Sequence, residues 1–312
     1  MAEQADVVEI WEKPEAEEIY MLAGWRQWAD AGSVSSGLPR YLIEHTGAHK
    51  IGEIRSGGFY LFQVPGTHDL VRPVVKFEKG FPESLETPVN ELYYWGDEHR
   101  GVVIFIGDEP HLDIEGYVAA VLEAARSLKI KRLVTFGGVY GELPYDKDRL
   151  VSAIYSQAKL RQEVENLAVT LSDYHGGASI GSYICRRASE QEIEMIGFYA
   201  FVPTYDFSTV NQVANTIRIE TDYKAWLDVM QRVNHMLKLE IDLSHLEKKS
   251  EELVEFIDSR VEEIDEKAPQ LGVQDYMKRL SEEFEETTFD PADEFWEQEL
   301  RDIFDKFEED ES

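Results

Sequence analysis

Cysteine is almost missing from this chain: Cys185 stands alone, so no intrachain disulfide can form, and the composition fits a reducing cytoplasm. Basic charge is scarce too. Lysine and arginine total 31 against 62 aspartates and glutamates, a formal net charge of −31. Binding to nucleic acid or to an anionic membrane surface needs clustered cations that release counterions, which this chain does not supply. The deficit is uneven, because the 73 residues from Glu240 to Ser312 hold 27 acidic and 8 basic side chains, a net −19. Solubility or a basic partner is the better reading of such a surface. No apolar run reaches the roughly 18 residues that span a bilayer. The acidic N-terminal stretch has no basic-then-apolar signal pattern, so a cytosolic protein is expected. Neither GxGxxG nor the Walker pattern occurs, and there is no internal repeat and no low-complexity segment besides the acidic bias.

What is present is ample apolar material, 43% of 312 residues with 12% aromatic, enough for one α/β domain and an appendage. The stretch Gly101 to Pro144 reads as strand, helix, strand. Its two apolar runs, Val102 to Ile106 and Arg132 to Phe136, each end in glycine. Between them Tyr117, Val118, Val121, Leu122, Ala125 and Leu128 recur at helical steps. Such a crossover joins parallel strands, and continuously apolar strands imply helices on both sheet faces. The expected fold is therefore three-layer α/β/α, with a mixed, centrally parallel sheet.

Ahead of this unit, Val7 to Trp11 and Ile19 to Ala23 read as strands, and Gly24 to Gly32 as a turn of small residues leading to a helix. Asp30 or Ser33 is its candidate N-cap, and Pro39 favours a helix start near Ser36. Ile51 to Ile54, Phe59 to Gln63, Val71 to Phe77 and Asn90 to Trp95 suggest an antiparallel flank. Beyond the unit we expect a short helix over Lys159 to Leu167, a helix-like stretch after Gly181, a strand from Met195 to Val202 stopped by Pro203, and a helix over Tyr223 to Leu237. Residues 1–242 then form the α/β core domain and 243–312 an acidic helical appendage. In the appendage Leu243, Leu246, Ser250, Leu253, Ile257, Val261, Ile264 and Ala268 follow heptad steps. A second helix carries Val273, Met277, Leu280 and Phe284. A third starts at Asp290-Pro291, with Trp296, Leu300, Ile303 and Phe307 inward and a loose acidic end.

Sheets of this kind take ligands outside the carboxyl ends of their parallel strands. Candidate ligand-binding residues there are Gly24, Trp25, Asp30, Gly32, Asp108, Glu109, Gly137 and Gly138, with Arg72 as a possible carboxylate or phosphate clamp. Each has a plain alternative: Asp108 or Glu109 can cap the following helix, and Arg72 can pair with Asp69 to fix a turn. His111-x-Asp113 and His68-Asp69 lack a third ligand, so no metal is expected. Cys185 lies beside Arg186 and Arg187 with no histidine close in sequence, so a catalytic residue is not assigned.

Together these segments resemble a known family. GWRQWADAGSVSSGLPRYLIE is similar to the GW-N-DAG-x-A-S segment of the proteasome assembly chaperone 2 family, whose prokaryotic members often carry an ATP-grasp label. Asp69-Leu70-Val71-Arg72-Pro73 resembles its D-x-x-x-RP stretch, VVIFIGDEPHLDIEGY its G-x-EP segment, and LVTFGGVYGELPYDKDR its G-x-x-x-x-x-P-H-T-R-P segment. The stretch from Gln274-Asp275-Tyr276 resembles the family's terminal helical segment. Departures are the longer turn at Arg26-Gln27-Trp28, Tyr117 in place of phenylalanine or tryptophan, and Tyr145-Asp146-Lys147 in place of His-Thr-Arg. The resemblance implies a fold similar to nucleoside phosphorylases and hydrolases, assembly as a homo-oligomer, often a trimer, no established enzymatic activity, and a role in handling proteasome subunits or other proteins; no cofactor is expected. A small-molecule phosphorylase or hydrolase using the strand ends is the other reading. ATP-dependent ligation ranks last, since no phosphate loop is visible.

Overall fold

The computed structural model describes residues 7–26, 28–63, 71–205 and 217–289. Gln27, the turn at 65–68 with Asp69, and the third tail helix lie outside the described residues. The sheet is built around β2 (Glu18–Arg26), β7 (Arg100–Asp108), β8 (Arg132–Gly141) and β11 (Met195–Tyr205). These four run parallel in the order β7, β2, β8, β11. Antiparallel strands extend both sides. Beyond β7 come β6 (Asn90–Gly96), β3 (His49–Ile54) and β1 (Val8–Ile10). Beyond β11 comes β9 (Val151–Tyr155), with β10 (Thr170–Leu171) parallel to it, and β12 (Ile217–Arg218) pairs the end of β11.

Alternation along the central strands sends side chains to two cores. Tyr20, Leu22, Val102 and Ile104 face one side, together with α1 (Gly37–Thr46) and α5 (Tyr223–Leu237). Met21, Ala23, Val103 and Phe105 face the other, under α2 (Ile114–Ser127) and α4 (Ile180–Glu190). The three-layer, mixed and centrally parallel arrangement read from the sequence is the one the chain adopts. A short α3 (Arg161–Glu165) follows β9. Two tail helices, α6 (Ser244–Lys267) and α7 (Val273–Glu283), place Leu246, Ile257, Val261, Val273 and Met277 in the same core as α5.

Three expectations change. Phe59 to Gln63 forms no strand; its carbonyls and side chains serve the end of β7 instead. Pro203 lies inside β11 rather than stopping it. The Phe201 N–H reaches the Leu150 carbonyl, and Pro203, two residues on and turned to the same side, lies past the end of the β9 pairing, so the proline takes no donor from that ladder. The strand expected from Val71 begins at Val74, and it belongs to a separate hairpin. There β4 (Val74–Glu78) pairs with β5 (Phe81–Glu86), off the main sheet, with every strand residue exposed.

Candidate functional site

The carboxyl ends of β2, β7 and β8 bring together all but one of the residues singled out above. After β2 the chain does not head straight into α1. It folds back across the sheet so that Asp30 bridges to Gly138 and the Gly138 N–H donates to the Ala29 carbonyl at 2.7 Å. A Cβ on Gly138 would run into the Ala31 carbonyl, and one on Gly24 into that of Ser35, so both glycines permit backbone to lie on backbone. Asp30 organises the turn. Its Oδ1 accepts from the N–H groups of Ser35 and Ser36 at 3.0 and 2.9 Å, and its Oδ2 accepts from Ser36 Oγ at 2.6 Å. Burial raises its carboxyl pKa. Gly32 offers its carbonyl to the N–H of Asp222 and to Trp226 Nε1, each at 3.0 Å.

At the end of β7, Asp108 is 1% exposed. Oδ1 accepts from Arg26 Nε at 2.6 Å and Oδ2 from the Val89 N–H at 2.8 Å. Behind it runs a buried chain of polar groups: Trp25 Nε1 donates to the Tyr117 hydroxyl at 2.8 Å, and that hydroxyl donates to Asn90 Oδ1 at 2.8 Å. The Tyr60 hydroxyl sits 2.8 Å from both Asn90 Oδ1 and the Asp108 carbonyl. Desolvation pushes the Tyr117 and Tyr60 pKa values up, which keeps both phenols protonated as donors. Glu109 turns the other way. Its Oε1 accepts from the Ile180 N–H at 2.9 Å, at the first turn of α4, and burial raises its pKa. The helix after β7 is capped by Asp113 instead, through the Gly116 N–H. Gly137 lies against the ring of Tyr199, whose hydroxyl is 3.1 Å from Ser179 Oγ.

Arg72 is not with this group. Its guanidinium lies 5.0 Å from the centre of the Phe62 ring and donates to Gln63 Oε1 at 2.6 Å, at the base of the β4–β5 hairpin. Cys185 is buried on α4 with its thiol pushed up to about 11, far from a nucleophile's range. Among the described residues no group of three or more His, Cys, Asp or Glu side chains converges to hold a metal. His111 accepts from the Leu61 N–H through Nδ1 at 3.2 Å.

Sequence reasoning missed Arg149. It is fully buried, with Nε donating to Asp222 Oδ2 at 2.8 Å, its N–H to Asp228 Oδ2 at 2.6 Å, and Nη1 to the carbonyls of Tyr145 and Lys147. It ties the loop after β8 to the start of α5. One arginine in the polar run DKDRLV carries no local mark of burial, because its carboxylate partners, Asp222 and Asp228, lie over 70 residues away. A groove of about 320 Å³ opens farther along this side, between the β12 end and α6 and α7, and is lined by Tyr205, Ile219, Leu253, Ile257, Val261 and Met277 among others.

These features define a class: a three-layer α/β/α protein whose β2–α1 turn is locked over its own strand ends and whose last helices extend one of its cores. Residues 24–261 match the model of the PAC2 family, and the chain belongs to that family. Solved structures share the fold. A proteasome-assembly chaperone homologue from Mycobacterium tuberculosis is 22% identical with a TM-score of 0.64, over 77% of this chain and 94% of its own. A second protein from that organism, of unknown function, is 18% identical with a TM-score of 0.69, over 93% and 97%. PbaB of Pyrococcus furiosus, an archaeal proteasome activator, is 20% identical with a TM-score of 0.57, over 81% and 97%. A comparison with curated proteins finds no match. No described helix is long and apolar enough to cross a membrane.

Proposed function

We propose that this chain is a non-enzymatic assembly protein that works as a homo-oligomer, three copies being favoured, and holds subunits of a proteasome or of another protein complex. Membership of the PAC2 family over 24–261 is the observation that carries this reading. The geometry of the strand ends supports it. The oxygens of Asp30 and Asp108 accept from N–H and O–H groups of the chain itself, and Glu109 is engaged by the first turn of α4. Groups bonded in this way position backbone. The negative tail helices offer a surface for a partner with basic patches.

The test is to mix the purified chain with proteasome α-type subunits and follow complex formation by gel filtration and native mass spectrometry. A stable complex is expected, weakened by salt. Failure to form one, together with thermal stabilisation by nucleosides or inorganic phosphate, would overturn the proposal in favour of a small-molecule enzyme.

A further inference from the structure

The β4–β5 hairpin is unusual for what it leaves uncovered. Its register pairs Val75 with Leu85 and Phe77 with Pro82, which places these four apolar side chains on one face. Lys76 and Ser84 pair on the other face, beside Val74 opposite Glu86. Among the described residues nothing packs on the apolar face, where Val75 is 48% exposed, Phe77 59% and Leu85 63%; Phe81, paired with Glu78, lies on the other face. A two-stranded hairpin alone is marginal in water, and one with a bare apolar face gains stability only when that face is covered.

The root of this arm is, by contrast, fixed. Residues 59–63 enter it from the end of β7, where the Phe59 carbonyl accepts from the N–H groups of His111 and Leu112. Val89 leaves it through its bond to the buried Asp108 carboxylate. A firmly held base under an exposed apolar face is a geometry for docking.

We propose that the apolar face of the β4–β5 arm packs against a second copy of this chain. Charge selects this occupant. The protein carries −31, so two copies repel over most of their surface, but Val71 to Pro88 holds three basic and three acidic residues. Like chains approach at least electrostatic cost where their own charge cancels. A basic partner would be drawn to the tail instead. Area is consistent: Val75, Phe77, Pro82 and Leu85 together expose on the order of 300 Å² of apolar surface, a contiguous patch of the size that marks an interaction site and a part of the ~800 Å² each partner gives to a stable interface. The contact is face to face, because Pro82 and the bulge in the register after Lys76 blunt the β5 edge against strand addition.

The inference rests on the homo-oligomeric part of the function proposed above, and the experiment separates the two. Mass is measured by sedimentation and light scattering on the full chain and on Phe77→Glu/Leu85→Glu, with circular dichroism and melting to check the fold. We expect the wild type to sediment as a multiple of the chain and the double variant as a folded monomer. A multiple that persists in the variant overturns the arm contact while leaving oligomerisation standing. A wild type that is monomeric throughout the micromolar range overturns both. As a second readout, Val75→Cys should cross-link between copies with a short bismaleimide, and an oligomer without that cross-link also overturns the proposal. Failure to bind proteasome subunits while the arm results hold would remove the assembly function and leave this inference intact.

Discussion

The strand-end cleft and the β4–β5 arm are neighbours joined through one carboxylate, yet they are built on opposite principles. In the cleft, backbone lies against backbone at Gly24 and Gly138, and the acids are bonded to the chain's own donors. On the arm, a row of apolar side chains meets solvent. Asp108 holds Arg26 with one oxygen and the returning end of the arm with the other. The cleft thus spends its precision on presenting what projects from it.

The contrast can be broken from the cleft side first. Asp222→Ala strands the buried Arg149 guanidinium and should cost about 3–5 kcal/mol in denaturant unfolding. Gly24→Ala forces a methyl group into the Ser35 carbonyl and should cost about 3 kcal/mol by the same measurement. Burial raises the Asp228 carboxyl to about 6. The folded state therefore keeps this proton to higher pH than the unfolded chain does. Its contribution is full below the ordinary carboxylate pKa and is lost as pH rises toward 6. Melts at pH 4 and pH 7 should show Asp228→Asn gaining about 2 kcal/mol on the wild type across that window. Asp108→Asn keeps an acceptor for Val89 but loses the charge pair with half-exposed Arg26, a loss of about 1 kcal/mol. On the arm, Phe81→Ser should change the stability of the isolated chain by less than about 0.5 kcal/mol.

The parallel unit from Gly101 to Pro144 was legible because its strands are buried on both faces, which writes an unbroken apolar run, and its helix buries one face, which writes a helical period. The turn at Asp30 was legible only in part: Ser36, not Asp30 or Ser33, is the N-cap of α1, while Asp30 holds the turn by accepting from Ser35 and Ser36. The arm was misread for a related reason. Val75 to Glu78 alternates as a half-buried strand would, and alternation records that a face is apolar without recording whether this chain covers it. Glu109 was read as a ligand or as a cap for the next helix, yet it serves α4, about 70 residues downstream, because the sheet brings β7 beside that helix. Arg149, Asp222 and Asp228 escaped notice on the same ground. Their meaning lies in pairs that only the completed sheet creates.

The two hydrogen bonds at the Gly32 carbonyl also set an order of events. The β2–α1 turn is fastened by Asp222 and Trp226, nearly two hundred residues later in the chain, and β2 itself lies between β7 and β8. A chain made only as far as Gly96 has a central strand with neither neighbour, and even a chain complete through β8 still lacks the fastener of its turn. Such long-range closure makes folding slow and leaves apolar strand edges exposed meanwhile. A protein proposed to shepherd other subunits into place is thus, during its own synthesis, among those with most need of protection.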